Sequence, residues 1–272
     1  MRCKKWPVGV CSWSLRTDVP GVAKAMKELG LRHVHLGIRQ AVEDSSGKVL
    51  ETIKAQKWTI TSTMIDFPQE DYSTLDSIKV TGGVVPDAQW QQNHNLFMGA
   101  VLATAGLGVK YLSMHAGFID ESNKAYVEKI YSRIRDLANI AADNGVILLL
   151  ETGQESAKDL RHFLETLNHK SVGVNFDPAN MILYDKGDPI EAVRVLSPWI
   201  RHLHVKDATR TTQPGTWGAE VPWGDGQVGV KRFLDVLEEV GFDGAMAIER
   251  EAGDNRFGDV KLAIERLTAA CK

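Results

Sequence analysis

Short apolar runs recur along the chain, several rich in β-branched residues, each followed by a polar turn and then a longer stretch with helical periodicity. Eight such units can be drawn. They predict strands over Val8–Ser14, Val34–Ile38, Thr59–Ile65, Tyr111–His115, Val146–Thr152, Val172–Asp177, Ile200–Lys206 and Ala245–Arg250. Most are apolar through their length and turn polar only at the end, as expected where both faces of a parallel strand are covered. Helix starts are signalled in the gaps by Pro20, Ser46, Ser156 and Asp188-Pro189. The alternation predicts an α/β fold, a (β/α)8 barrel occupying residues 1–272 as one domain. An open doubly wound sheet is the competing architecture, but Cys11-Ser12-Trp13-Ser14-Leu15 stands where its glycine-rich phosphate turn would follow the first strand. Asp66–Asp87 and Ala208–Val228 lack clear periodicity, and both follow strands, so they read as loops on one face.

Composition narrows the class without deciding the chemistry. With 43% apolar and 25% charged residues the chain can bury a large core, and a formal charge of −3 supplies no broad basic field, so no nucleic-acid partner is expected. The longest dense apolar stretch, Val146–Leu150, is far too short to span a bilayer, so no membrane association is expected. Met1–Val10 carries three Lys/Arg but no apolar run follows before Ser12, Ser14, Arg16 and Asp18, so no signal peptide is read there. Cys3, Cys11 and Cys271 lack metal-ligand spacing and are read as reduced thiols of a cytoplasmic protein. Self-association into a homo-oligomer is left open.

In a barrel of this kind the active site lies at the C-terminal strand ends, so the polar residue closing each apolar run is the one to weigh. Four consecutive runs end on ligand-type residues: Leu148-Leu149-Leu150-Glu151, Val174-Asn175-Phe176-Asp177, His202-Leu203-His204 and Ala247-Ile248-Glu249. An acid closing an apolar strand must be paired, solvated or coordinated, because burying it bare costs several kcal/mol. Three carboxylates and an imidazole suit one divalent ion, Mn²⁺, Co²⁺ or Mg²⁺, with Zn²⁺ possible. Glu151 to Asp177 and Asp177 to His204 are each one strand-helix unit apart, and His204 to Glu249 is one unit plus a long loop.

The phrases LLLETGQE (Leu148–Glu155), VNFDPAN (Val174–Asn180), HLHVKD (His202–Asp207) and AIERE (Ala247–Glu251) resemble those of the xylose isomerase-like superfamily of barrels. The resemblance implies that Glu151, Asp177, His204 and Glu249 hold the metal. It further implies a sugar isomerase or epimerase working through a metal-stabilised enediolate, with Glu151 and Glu249 as acid and base. A lyase or dehydratase on a keto-sugar or inosose is the alternative, and a non-catalytic sugar-binding barrel a further one. A small sugar or polyol is the expected substrate. By the same resemblance Arg210, six residues after His204, is placed as a substrate-binding arginine. Ketose epimerases of the superfamily commonly carry a Glu near the end of the second strand and a His three residues after the metal Asp. Here those substrate-side positions are His35 and Asn180, and Asn180 also argues against the superfamily's trinuclear-zinc endonucleases.

From the residues themselves, His115 at the end of the fourth strand could bind a hydroxyl, Trp13 could stack on a sugar face, and Glu155 could hydrogen-bond substrate. Trp217 and Trp223 stand in the long loop after the seventh strand, and Thr81–Pro86 is read as a lid or a surface turn. His202 is read as a core histidine, and Lys206 and Asp207 as residues supporting the ligands.

Overall fold

Runs buried on both faces need parallel neighbours on either side and helices outside, and the chain meets that need by closing the sheet on itself. The computed structural model describes residues 1–119 and 123–271. Eight parallel strands form the ring: β1 (Trp6–Cys11), β2 (His33–Gly37), β3 (Thr59–Met64), β4 (Tyr111–Met114), β5 (Ile147–Glu151), β6 (Val172–Phe176), β7 (Ile200–Val205) and β8 (Ala245–Ile248). Each pairs with the next, and β8 returns to β1 through Met246↔Val8, Ala247↔Gly9 and Ile248↔Val10. Gly9 sits at a narrow crossing. A Cβ there would lie 2.4 Å from the His33 carbonyl oxygen of β2.

The predicted strands match these within a few residues; the clearest change is at the start, where Ser12–Leu15 leaves β1 as a 3-10 turn. Helices begin where the capping residues place them. Asp18 accepts the Gly21 amide ahead of Val19–Glu28, Ser156 accepts the Asp159 amide ahead of Ala157–Leu167, and Asp188 accepts those of Ile190 and Glu191 ahead of Pro189–Leu196. Ser46 stands one residue before the N-cap, Gly47, and its hydroxyl accepts the Lys48 amide at 3.4 Å at the start of Lys48–Lys54.

The two aperiodic stretches are more ordered than their sequence shows. Thr74 caps a short helix, Leu75–Thr81, and the following Gly82–Val85 is buried rather than a lid or surface turn. The Val84 amide donates to the Ala116 carbonyl at 3.1 Å, and Arg133 donates to the carbonyls of Val84 and Val85. After β7, Asp207–Thr209 pairs antiparallel with Ala219–Val221. Asp207 organises this loop: buried at 1% exposure, its carboxylate accepts the amides of Gly224, Gly226 and Val228.

The cysteine reading needs correction. Cys11 is free and buried, but Cys3 and Cys271 form a disulfide, their Cα atoms 5.3 Å apart. Closing the barrel brings the short strand Arg2–Cys3 and the last helix, Arg256–Ala270, together, which a separation of 268 residues conceals. The bridge removes the support that cysteine usage lent to a cytoplasmic assignment. No helix among the described residues is long and apolar enough to cross a membrane.

Candidate functional site

The last residues of β5 to β8 and those just beyond them meet at the C-terminal mouth of the barrel. One ligand atom from each of Glu151, Asp177, His204 and Glu249 lies within 4.8 Å of every other, and all four side chains are buried. His204 Nδ1 is the centre of the group, 3.4 Å from Glu151 Oε1, 3.4 Å from Asp177 Oδ2 and 3.2 Å from Glu249 Oε2.

The local chain explains why single oxygens are presented. Asp177 caps the short helix Pro178–Leu183, its Oδ1 accepting the amides of Ala179 at 2.8 Å and Asn180 at 3.0 Å, which leaves Oδ2 facing His204. Trp13 Nε1 donates to Glu249 Oε1 at 2.7 Å and leaves Oε2 inward. Asn180 Nδ2 donates to Glu151 Oε1 and Asn175 Nδ2 to Glu151 Oε2.

Beneath the four lies a polar layer that fixes the imidazole. His35 Nε2 faces the Thr63 carbonyl at 3.2 Å, an atom that can only accept, so Nε2 carries the proton and Nδ1 the lone pair. Burial, helped by His204, depresses His35 to about 3, so it is neutral. His204 Nε2, 3.0 Å from His35 Nδ1, must then donate, and in the neutral ring the Nδ1 lone pair points at the three carboxylates. Asn175 Nδ2, 3.2 Å from the same Nε2, presents a competing donor, but its amide has Glu151 Oε2 as an acceptor. Both β2 and β6 shift register at these residues, between Val34 and His35 and between Val174 and Asn175. The shifts aim both side chains at His204.

Charges are balanced tightly. Burial alone would raise the Glu249 carboxyl, but His204 and Lys206 outweigh it and hold it well below the usual range. Burial also opposes ionisation of Glu151, yet His204 and His115 bring it down, whereas Asp177 stays raised by burial despite Lys206 and His204. Burial disfavours a charged His204, but the surrounding Cys11, Glu249, Glu151 and Asp177 raise it well above its ordinary value. Three converging carboxylates around one imidazole lone pair fit a divalent cation, which would neutralise a cluster that one ammonium only partly balances. That ammonium is Lys206: its Nζ lies 2.8 Å from Glu249 Oε2, 3.6 Å from Asp177 Oδ2 and 2.6 Å from Glu251 Oε2. It does not pair with its neighbour Asp207, whose carboxylate is committed to the loop.

The cluster opens into a cavity of about 740 Å³. Trp13, His115 and Asn180 line it along with Glu151 and Glu249; His115 Nε2 is 3.9 Å from Glu151 Oε2 and its Nδ1 has no hydrogen-bond partner among the described residues. The structure does not bring the other expected substrate residues to this wall. Arg210 lies outside it, tied to the Asp185 carboxylate and the Gly187 carbonyl. Glu155 is buried behind it, and burial pushes its carboxyl up to about 8. His35 is wholly buried below His204. Trp217 lines the cavity, whereas Trp223 packs against Phe233. Sequence reasoning passed over Asn175, Glu70, Tyr72 and Tyr184. Asn175 was visible in principle, two residues before Asp177 and so on the same face of β6; the others stand in loops or on a helix with no periodic signal.

Fold and site together define a parallel (β/α)8 barrel whose last four strand ends could hold a metal ion. The chain belongs to the xylose isomerase-like TIM barrel family, whose sequence pattern matches residues 23–270. It is similar to a xylose isomerase domain protein from Planctomyces limnophilus, with 30% identity, 99% of this chain and 98% of that one covered, and a TM-score of 0.86. A magnesium complex of a xylose isomerase-like TIM barrel protein from Mycobacterium smegmatis shares the fold at 18% identity, full coverage of both chains and a TM-score of 0.73. So does a 3-keto-D-glucoside 4-epimerase from E. coli, at 14% identity, 97% and 100% coverage and a TM-score of 0.73. An uncharacterised protein of Methanocaldococcus jannaschii, MJ1311, is 26% identical over 152 residues, 51% of this chain and about half the length of that protein.

Proposed function

We propose that the protein is a divalent-metal-dependent sugar isomerase or epimerase that moves a proton at a carbon next to a carbonyl. The observation that carries this is the placement of two carboxylates, Glu151 and Glu249, on strands separated by two others in the ring. Both line the cavity and both belong to the four-residue cluster. Glu151, Asp177, His204 and Glu249 would hold the ion, and their oxygen-rich set favours Mn²⁺, Co²⁺ or Mg²⁺ over Zn²⁺. When bound, the ion draws electron density from carbonyl and hydroxyl oxygens and so lowers the barrier to losing the proton between them.

The chain's own groups do the rest. One glutamate takes the proton from one face of the substrate carbon and the other returns one to the opposite face, which inverts the centre; return to the neighbouring carbon by a single glutamate gives the isomer. Trp13 holds Glu249 Oε1, and Asn180 and Asn175 each hold one oxygen of Glu151, so both carboxylates are oriented in advance and reorganise little on reacting. His115 offers a ring nitrogen to a substrate hydroxyl, and the Trp13 indole offers a face to the sugar ring. The natural substrate class is a ketose or keto-sugar.

The test is solvent exchange. Protein loaded with Mn²⁺ and incubated with a ketose and keto-sugar panel in D₂O should wash deuterium into the carbon next to the carbonyl. Glu151→Gln and Glu249→Gln should each lower that exchange by at least about 100-fold. Absence of exchange across the panel from metal-loaded, folded protein would sink the reading.

A further inference from the structure

The cavity is larger than one sugar ring requires. A hexose has about 12 non-hydrogen atoms; at somewhat less than the ~30 Å³ of a liquid water each, it fills on the order of 200–300 Å³. The cavity holds about 740 Å³, and the reacting carbon must sit at its metal end, beside Glu151 and Glu249. Away from the ligand cluster the lining mixes charged residues, Arg39, Glu220 and Glu251 among them, with an apolar and aromatic set, Phe67, Tyr72, Leu183, Tyr184 and Trp217. Such a set is built to hold a flat, CH-rich ring face.

This outer wall is held by specific contacts. Gly218 has no side chain because a Cβ there would lie 2.6 Å from the Thr209 carbonyl oxygen and 3.1 Å from Leu183 Cα; its amide donates to the Leu183 carbonyl at 3.0 Å. That contact presses the loop after β7 onto the helix Pro178–Leu183 and seats Trp217 edge-on to Tyr184, ring centres 4.6 Å apart. Trp217 Nε1 is itself buried, without a hydrogen-bond partner among the described residues, so it is the indole's ring face and edge that Trp217 offers to the cavity. Across the cavity Tyr72 stands edge-on to His115, ring centres 6.0 Å apart, and so joins the outer wall to the reacting end. The loop bearing Tyr72 is itself tied down, since Glu70 accepts the amides of Phe67 and Gly83.

We infer that the substrate is a two-ring molecule, a keto-sugar carrying a second sugar or aryl ring through a glycosidic oxygen, with that second ring bound between Tyr72 and the Tyr184–Trp217 pair. This rests on the proton-transfer reading for the chemistry but not for the binding. The reacting ring occupies the metal end, and the second ring fills the mouth against the aromatic faces.

Two measurements test it. In D₂O, Mn²⁺-loaded protein is compared on one-ring probes (fructose, tagatose, psicose) and on two-ring probes (lactulose, isomaltulose, phenyl 3-keto-β-glucoside). The two-ring probes should exchange with a kcat/KM at least about tenfold higher, and Trp217→Ala should collapse that ratio toward one. A sugar second ring and an aryl second ring are told apart by which probes carry the advantage, and either supports the inference. Equal or better kcat/KM on the one-ring probes overturns it while leaving proton transfer intact. Calorimetry supplies a readout free of turnover: phenyl β-glucoside should bind at least about fivefold tighter than methyl β-glucoside, with the difference lost in Trp217→Ala and retained in Trp217→Phe. If no probe exchanges, the proton-transfer reading fails and this binding comparison still decides the two-ring inference. Equal binding of the two glucosides overturns it.

Discussion

Replacing His35 by Leu should weaken metal binding although His35 touches no metal-facing atom. In the native layer the Thr63 carbonyl sets the His35 tautomer, and the His35 Nδ1 lone pair holds a proton on His204 Nε2, so that the ring releases its Nδ1 proton when an ion binds there. Leucine removes that acceptor. Metal-free His204, which the carboxylates around it keep charged in the native protein, can then shed its Nε2 proton and keep the one on Nδ1, toward the carboxylates, while Nε2 accepts from Asn175 Nδ2 at 3.2 Å. Binding an ion through Nδ1 must reverse this and leave a buried Nε2–H without a partner. Such a group costs about 1–3 kcal/mol, or roughly 5- to 150-fold in affinity, and loss of a partner behind a metal-ligating histidine typically costs about 10–100-fold. Calorimetric titration with Mn²⁺ gives the affinity directly, and ¹⁵N chemical shifts of the His204 ring report which of its nitrogens is protonated in the metal-free protein. Unchanged Mn²⁺ affinity in a folded His35→Leu protein, or a His204 ring still protonated on Nε2, would refute the reasoning.

Other consequences are as direct. Glu155 is ionised near 4.5 when unfolded and near 8 when folded, because burial raises it. Between those values the folded state holds a proton the unfolded state has lost, so stability falls as pH rises, by up to about 1.4 kcal/mol per unit, and levels off above pH 8. Glu155→Gln should flatten that slope in urea melts at stepped pH; a slope unchanged by the substitution would show that Glu155 is not its source. Reducing the Cys3–Cys271 bridge should lower stability by about 2–5 kcal/mol, read as a drop in Tm with dithiothreitol that Cys3→Ser reproduces and that reductant does not deepen. Asp207→Ala strips three loop amides of their acceptor and should cost about 2–4 kcal/mol, with faster hydrogen exchange at Gly224, Gly226 and Val228. Normal protection at those amides would count against that role.

Much of the barrel was legible because a parallel strand covered on both faces writes itself as an apolar run, and Ile147–Leu150 or Val172–Val174 has no other reading at that length. The ligand-type residues were legible for the same reason: a charge that ends such a run stands out against it. Arg210 was harder, since an offset along the chain carries no information on how the loop turns, and this loop turns the guanidinium to Asp185. Glu155 was misleading in another way. Four residues past Glu151 it looks like rim, but the turn after β5 folds it inward.

The order of apolar runs along this chain was enough to determine eight strand-helix units and the three acids and one imidazole that close the last four strands, because those properties are local and periodic. What only the tertiary structure decided is non-local. It is the meeting of Glu151, Asp177, His204 and Glu249 around one nitrogen, the tautomer passed from Thr63 through His35 to His204, and the bridge between Cys3 and Cys271. The aromatic mouth formed by Tyr72, Tyr184 and Trp217 is of the same kind. Each depends on barrel closure, which brings together groups whose separation along the chain is set by loops rather than by period, and whose hydrogen-bond roles are fixed only by the atoms they then face.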